Sequence, residues 1–277
     1  MNIAVQGAHP VRVETVNDFS ECFGAFESDK VSEGSLLSTV QEALTPREGT
    51  PFHTSKRLRW FKQGGHHVLE HYRDGALDHT VSFDETWKNV KLTSAAPLSS
   101  YTEYFRLSVL YAYMMFSAGY ITVHASAISH GGEGILFIGT SGSGKSTQSS
   151  LWLESFPDVT IINDDKPMLS PEGRVHGTPF AGTSRRAANI RADVKALVFI
   201  EKSEANHVKR LSKAEATASL YEHALTPEHD KHSMHAFFDS VDTLLGHAPA
   251  YHYRCTRSIE SVHTLRATLF KEGSHAY

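Results

Sequence analysis

Cysteine is almost missing from this chain. Cys22 and Cys255 are the only two in 277 residues, and they stand far apart with neither a Cys-x-x-Cys nor a Cys/His spacing. That excludes a disulfide framework and a thiolate zinc cluster and fits a reducing compartment, so a cytoplasmic location is expected. Basic excess is missing too. Lys and Arg number 27 against 31 Asp and Glu, a formal charge of −4, which leaves no basic stripe for a phosphate backbone; nucleic acid is not an expected partner. Long hydrophobic runs are lacking. The most apolar stretch, 105–120, is interrupted by Arg106, Ser108 and Ser117 and falls short of the roughly 20 residues that a spanning helix needs, so no membrane role is expected. The opening MNIAVQGAHPVRVE has no basic segment leading into an apolar one, and no signal peptide is expected. Internal repeats and low-complexity segments are absent. The 18 histidines scatter without a ligand-like cluster. What remains is a globular composition long enough for one large domain or two small ones, and a homo-oligomer is allowed.

The chain changes character near residue 98. Before it, NIAVQ and VRVET read as strands, and SLLSTVQEALT has helical spacing at Leu37, Val40 and Leu44. Then residues 57–86 alternate in short runs around Gly-Gly and Asp-Gly, the pattern of antiparallel hairpins. A small, mainly β N-terminal domain over 1–98 is expected, with TSAAPLSS as linker. Within 99–277 the order is a buried helix ending at Gly119, strands ITVHASAIS and ILFIG, a Gly-rich loop and a helix. Strand VTIINDD, a Gly/Pro loop and strand KALVFIEK follow. Helices near 213–224 and 233–246, strand AYHYRCT and a helix from Ser258 complete it. Alternating strands and helices predict an α/β fold with a mixed sheet and ligands at the carboxyl ends of its strands.

The stretch ILFIGTSGSGKSTQSSLW carries the chemistry. An apolar run, 135–138, leads into Gly139, Thr140, Ser141, Gly142, Ser143, Gly144, Lys145 and Ser146, which fit G-x-x-x-x-G-K-[ST] at every fixed position. Glycines let successive N–H groups turn into one concavity, and the N-terminus of the helix that follows adds further N–H groups and a positive dipole end. This predicts binding of ATP, with Lys145 on the β- and γ-phosphates and the Ser146 hydroxyl on Mg²⁺.

Phosphate loops serve hydrolases, switches and kinases alike, so neighbouring groups must discriminate. Asp164 and Asp165 close an apolar strand about one helix and one loop after Lys145, and a βαβ connection would set that strand beside the loop. Of two such carboxylates, one can hold Mg²⁺ and the other can accept the proton of an attacking hydroxyl. His124, on the strand before the loop, could orient a catalytic carboxylate or move a proton itself. GTPFAGTSRR, 177–186, is a second Gly-rich loop; Arg185 is a candidate to bridge phosphate oxygens. A competing acid exists: ALVFIE ends in Glu201, which as the working acid would make the protein an ATPase switch or a nucleotide-responsive binding module. No guanine-reading NKxD-like motif accompanies it.

Taken in order, HASAIS, GEGILFIGTSGSGKST, IINDDKP, GTPFAG and KALVFIEK resemble the HPr kinase/phosphorylase superfamily, whose nucleotide domain is related to ATP-dependent phosphoenolpyruvate carboxykinase. The similarity covers about residues 100–270. It implies a P-loop kinase domain and an ATP- and Mg²⁺-dependent serine kinase. The acceptor would be a protein, a peptide such as a lasso-type precursor, or free serine. By that resemblance 139–147, Thr147 included, form the nucleotide loop and Ser146 meets Mg²⁺. Asp164 is the base and Asp165 the metal ligand, two roles that could be exchanged, and His124 matches the family's upstream histidine. The Glu-x-Arg-Gly stretch linked to phosphorylase activity is missing, which argues against reverse phosphorolysis and against HPr itself as the substrate.

Overall fold

Gly119 divides the chain. The computed structural model describes residues 1–6, 8, 10–30, 34–227 and 231–270, which group into two units, Met1–Ala118 and Gly119–Tyr277. Among the described residues the fold is mixed α/β, with two mixed sheets and six α-helices. None of the described helices is long and apolar enough to cross a membrane.

The first unit is built on β1 (Asn2–Ile3), β2 (Val11–Glu14), β3 (Leu36–Gln41), β4 (His53–Thr54), β5 (Leu58–Gln63), β6 (His66–Arg73), β7 (Ala76–Asp84) and β8 (Asn89–Ser94). They form one sheet in the order β1-β2-β3-β8-β7-β6-β5-β4. The hairpins expected from 57–86 are present as β5, β6 and β7, with antiparallel pairing that continues into β8. SLLSTVQEALT is not helical. Its first half is β3, paired in parallel with both β2 and β8 and buried at Leu37, Ser38 and Thr39. Pairing on both sides overrides a local spacing that three residues could only suggest.

Two helices complete this unit, α1 (Ser20–Phe23) and α2 (Ser100–Ser117). Ser99 caps α2, accepting from the Thr102 N–H at 3.2 Å. Gly119, at φ +91°, follows its end, the left-handed residue that stops a helix. The boundary expected near residue 98 therefore lies about a helix too early. α2 buries Leu107 and Tyr111 and packs on β3 and β8, so it belongs with the first sheet.

The second unit contains β9 (Ile121–Val123), β10 (Ala125–His130), β11 (Glu133–Ile138), α3 (Lys145–Ser155), β12 (Thr160–Asn163), β13 (Met168–Ser170), β14 (Arg174–His176) and β15 (Arg191–Lys202). After them come β16 (His207–Arg210), α4 (Lys213–His223), β17 (Ala224–Leu225), α5 (Lys231–His247), β18 (Ala250–Cys255) and α6 (Ile259–Leu269). The main sheet path is β12-β10-β11-β15-β14-β13-β9-β17, and β18 joins β15 to β16. The strand leading into the Gly-rich loop, β11, is buried on both faces, as its apolar run predicts.

One face of this sheet carries a core of Ile128, Phe137, Trp152, Val198, Tyr253, Val262 and Leu265, which seats α3 and α6. Polar contacts fix α3 within it. Ser149 Oγ lies 2.6 Å from Ser126 Oγ of β10, and Gln148 Nε2 donates to Ser261 Oγ at 2.9 Å.

The strand after α3 is not beside β11, as a simple βαβ unit would place it. β10 lies between them, antiparallel to both. The physical reason is the tight hairpin β10–β11: it takes the adjacent position first, and the chain leaving α3 pairs one strand further out. The run ITVHASAIS is also not one strand. It breaks at His124, with β9 near one end of the pairing path and β10 near the other. A single residue spans only about 3.8 Å between Cα atoms, so the sheet must bend back on itself there. The chain crosses the same seam a second time, between Asn163 of β12 and Met168 of β13. The two crossings are tied by Ala125 N–H to Asp165 O (3.1 Å) and Val123 N–H to Pro167 O (3.2 Å).

Candidate active site

Register places the chemistry-bearing residues on one edge. Ala125 pairs with Ile138, Ile138 with Phe199, and Ala127 with Asn163. The start of β10 and the carboxyl ends of β11, β12 and β15 therefore lie together. His124, the Gly139–Ser146 loop and Asp164–Asp165 all emerge there.

The loop is shaped by its glycines. Gly142 and Gly144 hold φ of +79° and +108°, left-handed values that glycine adopts without strain. A Cβ on Gly139 would lie 2.7 Å from Ser143 Oγ and 3.3 Å from the Ile200 carbonyl oxygen, so a larger residue there would have to displace the Ser143 side chain. Gly144 is also the N-cap of α3 and offers no side chain to the first-turn N–H groups; those donors are the ones a helix leaves unpaired. Ser143 Oγ is buried with no hydrogen-bond partner. Lys145 is 7% exposed, and its ammonium donates to the carbonyls of Gly139 (2.8 Å) and Thr140 (3.0 Å). Burial lowers its pKa, and the charge of Asp165 raises it. Ser146 is exposed in the first turn, beside Thr147.

The two aspartates are adjacent in sequence but differ in surroundings. Asp165 Oδ1 lies 3.3 Å from His124 Nε2, and its other oxygen pairs with the Lys166 ammonium. Burial pushes its carboxyl up, but the His124 hydrogen bond and the Lys166 charge outweigh burial and hold it at about 2. Asp164 is pushed the other way. Burial raises its pKa; the Gly182 N–H, donating to Oδ1 at 2.7 Å, opposes this, and the neighbouring Asp165 charge adds to the rise. Its second oxygen accepts from the Ser184 hydroxyl.

Asn163 organises this turn, although sequence reading gave it no role. It is fully buried. Its Oδ1 accepts from the N–H groups of Asp165 (2.9 Å) and Lys166 (2.7 Å), while its Nδ2 donates to the Thr178 carbonyl at 3.0 Å. The loop 177–186 is thereby stapled to the aspartates, helped by Thr178 Oγ1 donating to the Lys166 carbonyl at 2.8 Å. Lys166, Gly182 and Ser184 were likewise missed. The only hint to them was the proximity of Lys to the Asp pair and the small residues of the second loop.

Arg185 lies on the exposed part of that loop at φ +51°, with its N–H donating to Gly182 O at 3.0 Å. The structure thus brings it to the Asp164 side of the edge. Glu201 is the last residue but one of β15, which runs to Lys202; Val198 and Ile200 pack toward α3, and alternation turns Glu201 to the opposite face. There its carboxylate lies 3.1 Å from His252 Nε2 and is 58% exposed.

Donors of this kind suit a metal-bound nucleotide. Uncapped helix N–H groups and a lysine favour phosphate oxygens, while a serine hydroxyl and a carboxylate of low pKa are oxygen ligands of the type Mg²⁺ takes. Among the described residues no group of three or more His, Cys, Asp or Glu stands ready to hold a metal. No protein-family model and no curated protein matches the chain.

Proposed function

We propose that the protein is an ATP- and Mg²⁺-dependent kinase of P-loop type that transfers the γ-phosphoryl group to a serine hydroxyl of a peptide or small protein. The observation that carries this reading is the unequal aspartate pair at the edge where the Gly-rich loop emerges: one carboxylate held anionic by His124 and Lys166, the other raised by burial and already accepting a hydroxyl proton donor. An acidic dyad of divided character suits transfer to an alcohol.

In this reading the loop N–H groups and Lys145 hold the phosphates, and Ser146 and Asp165 hold Mg²⁺. The ion, when bound, neutralises charge on the transferring group. Asp164 accepts the proton of the attacking hydroxyl, a task for which a raised pKa is the better match. His124 keeps Asp165 oriented and ionised.

Asp164→Asn keeps size and the Gly182 hydrogen bond but cannot take the proton. It should bind Mg-ATP with unchanged affinity by calorimetry and lose phosphoryl transfer to serine-containing synthetic peptides by about 10²–10⁴-fold. Asp165→Asn should instead weaken the Mg²⁺ dependence. Full transfer in both variants would overturn the roles given to the aspartates; release of free phosphate without transfer, with bound ATP trapped by Glu201→Gln, would replace the kinase with an ATPase switch.

A further inference from the structure

The candidate base is not waiting for a hydroxyl; it has one from its own chain. Ser184 Oγ donates to Asp164 Oδ2, the oxygen opposite the one that accepts from Gly182. Ser184 is exposed, although the carboxylate it bonds is part-buried. The loop holding it is fixed at several points. Gly177 N–H donates to Ile190 O and Asp164 N–H to Arg186 O, at 3.0 and 3.1 Å, and the turn Gly182–Arg185 is closed by its own backbone bond. Gly182 admits the close approach, since a Cβ there would stand 3.3 Å from Asp165 Cβ and 3.4 Å from Asp164 Oδ1. Two arginines, Arg185 and Arg186, follow directly.

We propose that Ser184 is an intramolecular phosphoryl acceptor, an autophosphorylation site of the enzyme. The assignment rests on the kinase reading above and specifies an acceptor for it. In the step, a bond forms between Ser184 Oγ and the γ-phosphorus of ATP. The bond from that phosphorus to the β,γ-bridging oxygen breaks, the hydroxyl proton passes to Asp164 and then to water, and ADP leaves with the bridging oxygen. The product suits its surroundings. A phosphoserine carries close to two negative charges near neutrality and forms charge-assisted hydrogen bonds with guanidinium groups, which the following arginines supply. The same charge is repelled by Asp164 and cannot donate to it, so modification would free Asp164 from Ser184. Thr183, the neighbouring hydroxyl, has no such contact with the aspartate and serves as the internal control.

The test uses the full chain, treated with phosphatase and then given γ-labelled Mg-ATP with no other acceptor, and maps the label by tandem mass spectrometry. The expected result is label on Ser184. Its rate per chain should not change with protein concentration, and label should be lost in Ser184→Ala and Asp164→Asn and kept in Thr183→Ala. Circular dichroism of each variant separates loss of label from loss of fold. Label on Thr183 or any other residue overturns the Ser184 assignment and leaves the kinase standing. An unlabelled chain that still phosphorylates serine peptides does the same. A chain that binds no Mg-ATP by calorimetry, or only releases inorganic phosphate, overturns both.

Discussion

His124 shows how one side chain can serve a site without touching what reacts. It sits in the break between β9 and β10, its N–H donating to His223 O at 2.9 Å, and its ring meets Asp165. It is a positioning residue in the proposed kinase. His124→Ala should lower turnover about 10–100-fold, the usual cost of removing a partner that orients a metal ligand, and should raise the Mg²⁺ concentration needed for half activity while Kd for the nucleotide loop's own contacts changes little. His124→Gln, which can still donate to Asp165, should recover part of the loss. A drop in stability with an unaltered Mg²⁺ requirement would make the histidine structural only. The residue type and place were legible in the sequence, and so were the loop and the two aspartates, because short motifs are local. Asn163 and Ser184 were not, since their roles come from contacts with chain 15 to 20 positions away.

Among elements, the loop 177–186 depends on a backbone approach that no pattern reveals. A Cβ at Gly177 would collide with the Ala188 carbonyl oxygen and stand 2.8 Å from that of Ile162. Both are hydrogen-bonded backbone atoms, the Ile162 carbonyl accepting from the Ala188 N–H at 3.0 Å and the Ala188 carbonyl from the Ile190 N–H at 2.9 Å, so neither can give way cheaply. Gly177→Ala should destabilise the protein by about 1–3 kcal/mol in chemical denaturation, in the range of overpacked interiors, and should impair activity beyond that by shifting Asp164. An unchanged midpoint would mean that the backbones separate at little cost. The strands around the loop were foreseen with uneven success. The continuous apolar runs of β11 and β15 announced themselves, whereas β13, β14, β16 and β17 are 2–4 residues long and too short to carry a period. The helical reading of β3 failed for the opposite reason, a period present by accident over three positions.

At the scale of the whole molecule, the two units should respond to acid in different windows. In the first, Asp78 bonds His79 at 2.8 Å and Arg106 at 2.7 Å, and His71 stacks on His79 with ring centroids 4.3 Å apart. Burial and then the His71 charge lower the His79 pKa to about 4, against the opposing hydrogen bond from Asp78. A lowered folded pKa means that the unfolded chain binds the proton first. Stability is then complete above about pH 6.5 and falls as pH drops toward 4, by on the order of 2–3 kcal/mol. Asp165 follows the same sign in a lower window, keeping its contribution above about pH 4 and losing it as pH falls toward its folded value of about 2. Fluorescence of a Trp152→Phe variant, which reports Trp60 and Trp87 alone, should show the first unit weakening between pH 6.5 and 4. His79→Gln should flatten that slope; a slope equal to wild type would place the acid sensitivity elsewhere.

Connections between strands are ordinarily where a chain tolerates length changes. The seam at His124 is the reverse. One residue there links strands that belong to different halves of the sheet, and the second crossing, four residues long, is bonded to it at Ala125 and Val123. Adding a residue between β9 and β10 would turn every side chain of β10 to the other face, taking Ser126 away from Ser149 and Ile128 out of the core. Deleting one would pull Asp165 out of line. The spacing from Ile121 to His130 is therefore one the fold cannot edit without giving up its core and the turn that carries Asp165 together.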